Sequence, residues 1–190
     1  MTGRITDTKN EILRLGTHLI QLYGYNAFSY ADISKELNIK NAAIHYHYPG
    51  KEDLLAAIID QYISRYEELD KQLSAPGITS RQKIETIINR YSNLCDQNKI
   101  CIIGSVCSDY NTMPENVKTK LSQLIEMVLS MVEKVLQQGR RNGEFIFSET
   151  ARTKSLMIMT NLAAGVQLAR ITGEKDYRAI CKNLITQITP

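Results

Sequence analysis

Long apolar runs, alternating apolar–polar segments and proline are all scarce in this chain, and each scarcity excludes a class of protein. No stretch stays apolar for the roughly 20 residues that a membrane-spanning helix requires, and the first residues hold no signal-peptide core. A cytoplasmic location and no membrane partner are therefore expected. Four prolines in 190 residues and the lack of alternation argue against a sheet protein and for helix. The four cysteines, Cys95, Cys101, Cys107 and Cys181, never fall in a CxxC spacing. In a reducing compartment they read as free thiols rather than as a disulfide framework or zinc site. There is no glycine-rich phosphate loop, no HExxH and no nucleophile elbow. No enzymatic activity, metal or cofactor is expected. A net charge of +3 is too small for a polycation that binds nucleic acid by charge alone. Tryptophan is absent beside ten tyrosines, which decides nothing further.

What is present centres on Phe28 to Lys51, FSYADISKELNIKNAAIHYHYPGK. Ser29 with Asp32 three residues on is close to a capping box. Ile33 and Leu37 share one face of the helix that follows, while Lys35 and Glu36 face water. Asn38 is placed to stop it in the left-handed conformation that asparagine tolerates best after glycine. Ile39 plugs the corner, and Asn41 is expected to cap a second helix, AAIHYHY, ending at Pro49-Gly50. Such a tight two-helix unit is the kind that lays a helix in the DNA major groove. The second helix has one plainly buried residue, Ile44, a seam of two alanines, and an outer set of Lys40, Asn41, His45, Tyr46 and His47. Small residues with donors and flat rings suit phosphate and base-edge reading. His45 and His47 fall on different sides of a helix, so they make no metal pair. Residues 1–51, with Arg4, Lys9, Arg14, Lys35, Lys40 and Lys51, have a mild basic bias.

In chain order, Thr8 with Glu11 predicts a helix start, followed by Ile12, Leu15, Leu19, Ile20 and Tyr23 at helical spacing up to Gly24. Lys51 to Leu73 reads as one long helix, followed by the linker Ser74–Gly77. Thr79 and Gln82 predict another helix start, with Ile84, Ile87, Tyr91 and Leu94 in a stripe. Cys101–Cys107 is small and apolar, a short buried helix. Pro114 fits the first turn of a long amphipathic helix carrying Val117, Leu121, Leu124, Val128, Val132 and Val135, ending near Asn142-Gly143. Ser148 is expected to cap the next helix, apolar on two sides, with Ala163-Ala164-Gly165 permitting close approach. Gly173 ends it, and Tyr177, Ile180, Leu184 and Ile188 mark a last helix.

One resemblance is specific. His45-Tyr46-His47-Tyr48-Pro49-Gly50-Lys51-Glu52-Asp53-Leu54 is similar to the recognition-helix pattern of the tetracycline-repressor (TetR) family, roughly Tyr-x-Tyr-Phe, two residues, then Lys-Glu-x-Leu. Histidines replace both tyrosines and Tyr48 the phenylalanine, while Lys51, Glu52 and Leu54 match; the family's turn glycine is Asn38 here. The helix order resembles that family over the whole length. The resemblance implies an all-α fold, with a three-helix DNA-binding unit in residues 6–66 (helix-turn-helix 29–48). A body of about six helices in 67–190 would bind an effector and dimerise. It implies DNA contact by Ser29, Tyr30, Lys40, Asn41, Ala42, Ala43, His45, Tyr46 and Lys51, with His47 and Tyr48 packed inward. It implies a homodimer through about 148–172 and 175–188, and a double-stranded operator released by a small-molecule effector.

The effector site is expected among Tyr62, Tyr66, Tyr91, Cys101, Cys107, Tyr110, Met127, Met131 and Met159, a mixture of apolar surface and hydroxyl donors usual for a small-molecule site. The same residues at helical spacing also fit plain core. Two other readings stay open: a thiol-based sensor of oxidants or electrophiles through Cys101 and Cys107, and a helical small-molecule carrier that keeps the hairpin only as scaffold.

Overall fold

The computed structural model describes residues 2–190, and side chains from Asp7 onward; the Arg4 side chain, part of the basic bias, lies outside them. Nine α-helices are described: α1 Thr2–Tyr23, α2 Tyr30–Leu37, α3 Asn41–His47, α4 Lys51–Leu73, α5 Ser80–Asp96, α6 Ile102–Cys107, α7 Glu115–Arg141, α8 Ala151–Thr172 and α9 Glu174–Thr186. The all-α expectation holds, and so does the single helix from Lys51 to Leu73.

Local chemistry accounts for most of the boundaries. Asp32 accepts from the Ser29 amide at 2.7 Å at the start of α2, and Thr79 exchanges bonds with Gln82 at the start of α5. Asn38 sits at φ 51°, ψ 45° after α2, a conformation that costs most other side chains about 1–2 kcal/mol. Three expected boundaries move. α1 begins at Thr2 rather than near Thr8. Asn41 is the first residue of α3, whose cap is the Lys40 backbone, its oxygen accepting from the Ala43 amide at 2.9 Å. Thr150, not Ser148, caps α8 by accepting from the Thr153 amide at 3.0 Å; two residues separate the candidates, and both have the right chemistry.

Ile12 and Ile20 of α1, Ile33 of α2, Ile44 of α3 and Leu54 and Ile58 of α4 are almost fully buried and form the core of the N-terminal unit. Burying each such side chain is worth about 1.5–3 kcal/mol. α1 crosses α4 at Gly16, where an added Cβ would stand 3.0 Å from the Leu54 side chain. This core runs without a break through α4 into the body. There α7 packs between α4 and α8, α5 covers α7, α8 and α9, and α6 reaches back to α1. Gly165 lets α9 approach α8 closely, with the Tyr177 ring 3.1 Å from where its Cβ would be.

Candidate DNA-reading face and effector cavity

The helix-turn-helix is held from behind. The Tyr30 phenol donates to the oxygens of Tyr48 and Gly50 at 2.9 and 2.6 Å, tying the start of α2 to the α3–α4 connection. Burial raises its pKa, so the phenol stays a donor. Ser34 Oγ donates to the Ile39 oxygen at 2.6 Å, closing the turn. Lys51 points inward: its ammonium donates to the Phe28 oxygen at 2.6 Å and lies 4.2 Å from the Phe28 ring and 4.7 Å from the Tyr25 ring. Desolvation lowers its pKa. The structure thus gives Lys51 a partner inside the unit.

Ile44 is the one fully buried residue of α3. Lys40, Asn41, Ala42 and His45 are exposed, Ala43 is partly so, and Tyr46 is 76% exposed. Ser29 is exposed beside them. His45 is oriented by Nδ1, 2.9 Å from the Pro49 oxygen, and by edge contact with Tyr30 at 4.9 Å between centroids. Tyr48 is buried and His47 half-buried, as expected. A short helix thus presents an aromatic ring, a histidine edge, an amide and an ammonium around two alanines. These are the groups that reach phosphates and base edges.

In the body, Tyr62, Tyr66, Tyr91 and Cys101 line a cavity of about 220 Å³. A second, apolar cavity of about 160 Å³ has Tyr91, Cys101 and Ile103 as shared wall and includes Met159. Five expected lining residues are thereby brought together. The other four line neither cavity. Met131 is core and Met127 packs against it, Cys107 is exposed, and Tyr110 lies outside, its ring 5.6 Å from the Lys118 ammonium. Helical spacing places a residue on a face without saying which neighbour that face meets.

The cavity's phenols are neutral at ordinary pH. Burial pushes Tyr62 and Tyr91 well up and Tyr66 up to about 12; Arg65 and Arg90 pull Tyr62 the other way, and Arg90 does so for Tyr66. The Cys101 sulfur lies 3.7 Å from the Tyr91 hydroxyl. Partial burial of its sulfur, then Cys101, raise the Cys107 thiol.

Gln21, Arg65, Arg90, Gln97 and Lys99 also line the first cavity, and none of them was among the expected lining residues. A signal was there: the dipeptide Arg-Tyr occurs as Arg65-Tyr66 and again as Arg90-Tyr91, each placing a cation beside a cavity tyrosine. Gln21 joins cavity and DNA unit, its side chain donating to the Tyr62 hydroxyl at 3.0 Å. Among the described residues no group of three or more His, Cys, Asp or Glu side chains is placed to hold a metal. No helix among them is long and apolar enough to cross a membrane.

Residues 12–58, covering the α1 core through the start of α4, match the family described as bacterial regulatory proteins, tetR family. The whole chain is similar to a TetR-family transcriptional regulator from Agrobacterium tumefaciens, at 26% identity, 98% of this chain, 100% of that one and a TM-score of 0.91. The chain carries the TetR-family signature at residues 12–58 and has the fold of TetR-family regulators. A TetR transcriptional regulator from Legionella pneumophila is 28% identical over 95% of this chain and 97% of its own, with a TM-score of 0.84. FadR from Bacillus subtilis, crystallised with stearoyl-CoA, is 16% identical over 94% of this chain and 98% of its own, with a TM-score of 0.69; that likeness concerns the fold. No protein with a curated description is significantly similar to this chain in sequence.

Proposed function

We propose that this TetR-family regulator is a homodimeric repressor, released from a palindromic operator by a small molecule bound in the Tyr62–Tyr66–Tyr91–Cys101 cavity. The observation that carries the DNA-reading half is the α3 surface, where Ser29, Lys40, Asn41, Ala42, His45 and Tyr46 are exposed on a locked helix-turn-helix. Ala43, Tyr30 and the Lys51 clasp support that surface. The unit is best bounded at residues 6–66 and the body at 67–190, with α4 shared between them.

The dimer reading rests on α8. Met157, Ala164, Leu168 and Ile171 follow one helical stripe and are all exposed in the monomer, Leu168 at 55% and Ile171 at 87%. A stripe of this spacing is what a partner helix covers. α9 lies beside it. A two-fold axis here would set two α3 helices on successive major grooves about 34 Å apart.

An effector would act through Gln21. A ligand that displaces the Gln21–Tyr62 bond bears directly on the end of α1, and hence on the spacing of the two reading helices. A near-complete switch needs a preference of about 5 kcal/mol between the two states.

The test is binding to the DNA upstream of the protein's own gene at defined salt, wild type beside Tyr46→Ala with Lys40→Ala. Tight binding lost in the variant supports the reading. No specific site in a genome-wide pull-down overturns it in favour of a carrier.

The thiol-sensor reading is favoured by one observation: Cys101 lines both cavities. Against it, Cys101 is buried and bonded to a neutral phenol, and the Cys107 thiol is raised, the opposite of a reactive thiolate. Replacing both with serine should abolish an oxidant response if this reading holds, and leave a ligand response intact if it does not.

A further inference from the structure

Three cations converge on the first cavity, and none is neutralised by an acid. Arg65 leaves α4 and Arg90 leaves α5, and each stacks over a cavity tyrosine, 5.5 Å from the Tyr62 ring and 5.8 Å from the Tyr66 ring respectively. Neither has a hydrogen bond or ion pair among the described residues. Elsewhere the chain pairs its arginines readily: Arg14, Arg81, Arg152 and Arg178 each meet a carboxylate. Lys99 donates to the neutral Gln97 side chain at 2.7 Å. Glu68 lines the adjoining groove with both arginines but accepts from Gln72. Charges of one sign held around a half-enclosed cleft repel one another and raise the local potential, which an anion relieves.

The far side of the cavity is the opposite. Across the wall of Tyr91, Cys101 and Ile103 lies the second cavity, lined by Ile125, Val128, Leu129 and Met159. Charged mouth, phenol-lined middle and apolar end follow one another. At the roughly 30 Å³ that a water-sized group claims in a liquid, the two cavities together hold about twelve heavy atoms.

We propose that the effector of this protein is an organic anion. Its carboxylate sits at Arg65, Arg90 and Lys99, and its apolar body lies along Tyr91 into the second cavity. Arginine's planar fork suits a carboxylate, and the buried phenols supply donors to its oxygens. This rests on the effector-cavity reading above and narrows it to one class of ligand.

The experiment is isothermal titration with 4-phenylbutyrate and its neutral isostere 4-phenylbutanamide, on wild type and on Arg65→Gln with Arg90→Gln. Both arginines are exposed and unpaired, so the variant should fold; its melting, followed by circular dichroism, is the control. Wild type is expected to prefer the anion by about tenfold or more, as for one lost charge-assisted contact. The variant should lose that preference while holding the amide as before. Equal affinity for both probes in wild type, a preference that survives in the variant, or no heat from either probe at millimolar concentration would each overturn the inference. No DNA is present, so failure of the operator experiment leaves this result standing. Failure here likewise leaves the DNA-reading face standing.

Discussion

The main-chain oxygen of Gln21 accepts from the Arg170 guanidinium at 2.9 Å, tying the end of α1 to α8. The same guanidinium group donates to the oxygens of Leu22 at 3.0 Å and Asn98 at 2.9 Å, and the Ile100 amide also donates to Gln21 at 3.0 Å. Free carbonyls at a helix C-terminus carry partial negative charge, so a cation satisfies both their hydrogen bonding and the helix dipole. The helix proposed for the dimer, the proposed effector cavity and the proposed DNA-reading unit therefore meet at one glutamine.

Removing that cation should loosen the joint. Arg170→Gln is expected to lower stability by about 1–3 kcal/mol, the usual worth of hydrogen bonds to a charged group, read from urea denaturation. Hydrogen exchange at the Ile100 amide should speed up by more than the global change accounts for. Unchanged exchange there would show that α1 is held by its packing alone.

Two tyrosines only two residues apart should behave as opposites. Tyr46 is exposed and Tyr48 is buried at 3%. Tyr46→Ala is expected to leave stability within about 0.5 kcal/mol, as surface changes do, while weakening operator binding by tenfold or more. Tyr48→Ala should cost about 3–5 kcal/mol through the lost ring alone, because the Tyr48 oxygen that accepts from Tyr30 is main-chain and stays in place. Anisotropy titrations paired with melting curves separate the two outcomes.

Charges placed on the α8 stripe should split the dimer. Leu168→Glu with Ile171→Glu is expected to give a folded monomer by sedimentation equilibrium, with helix content retained. An unchanged dimer mass would move the interface away from α8.

Alkaline stability follows from the cavity phenols. Tyr66 has its pKa raised by burial from 10.0 to about 12. The folded state holds this proton more tightly than the unfolded chain does. Its contribution is therefore fully present below pH 10 and is lost as pH rises from about 10 towards 12. The urea midpoint should fall steeply across that window, and less steeply in Tyr66→Phe. Identical slopes would show that Tyr66 is not what titrates.

Much of the fold was legible because it is decided within a few residues. The Ser29–Asp32 and Thr79–Gln82 boxes, the left-handed Asn38, the full span of α4 and the buried stripe of Ile84, Ile87 and Tyr91 all follow from capping chemistry and helical period. Where two capping residues lay close together, as Ser148 and Thr150 do, local chemistry was degenerate and packing chose.

The sequence by itself determined the helices, the outward set of groups on α3 and the inward turn of Tyr48. Only the tertiary structure decided that Lys51 clasps Phe28, and that Met131 is core while Met159 faces a cavity. It also decided that Arg65, Arg90 and Lys99, from different segments, share one mouth, and that Arg170 closes on Gln21. The reason is physical: periodicity assigns a side chain to a face of its own helix. Which helix packs against that face, and at what crossing, is set by long-range burial that no local window contains.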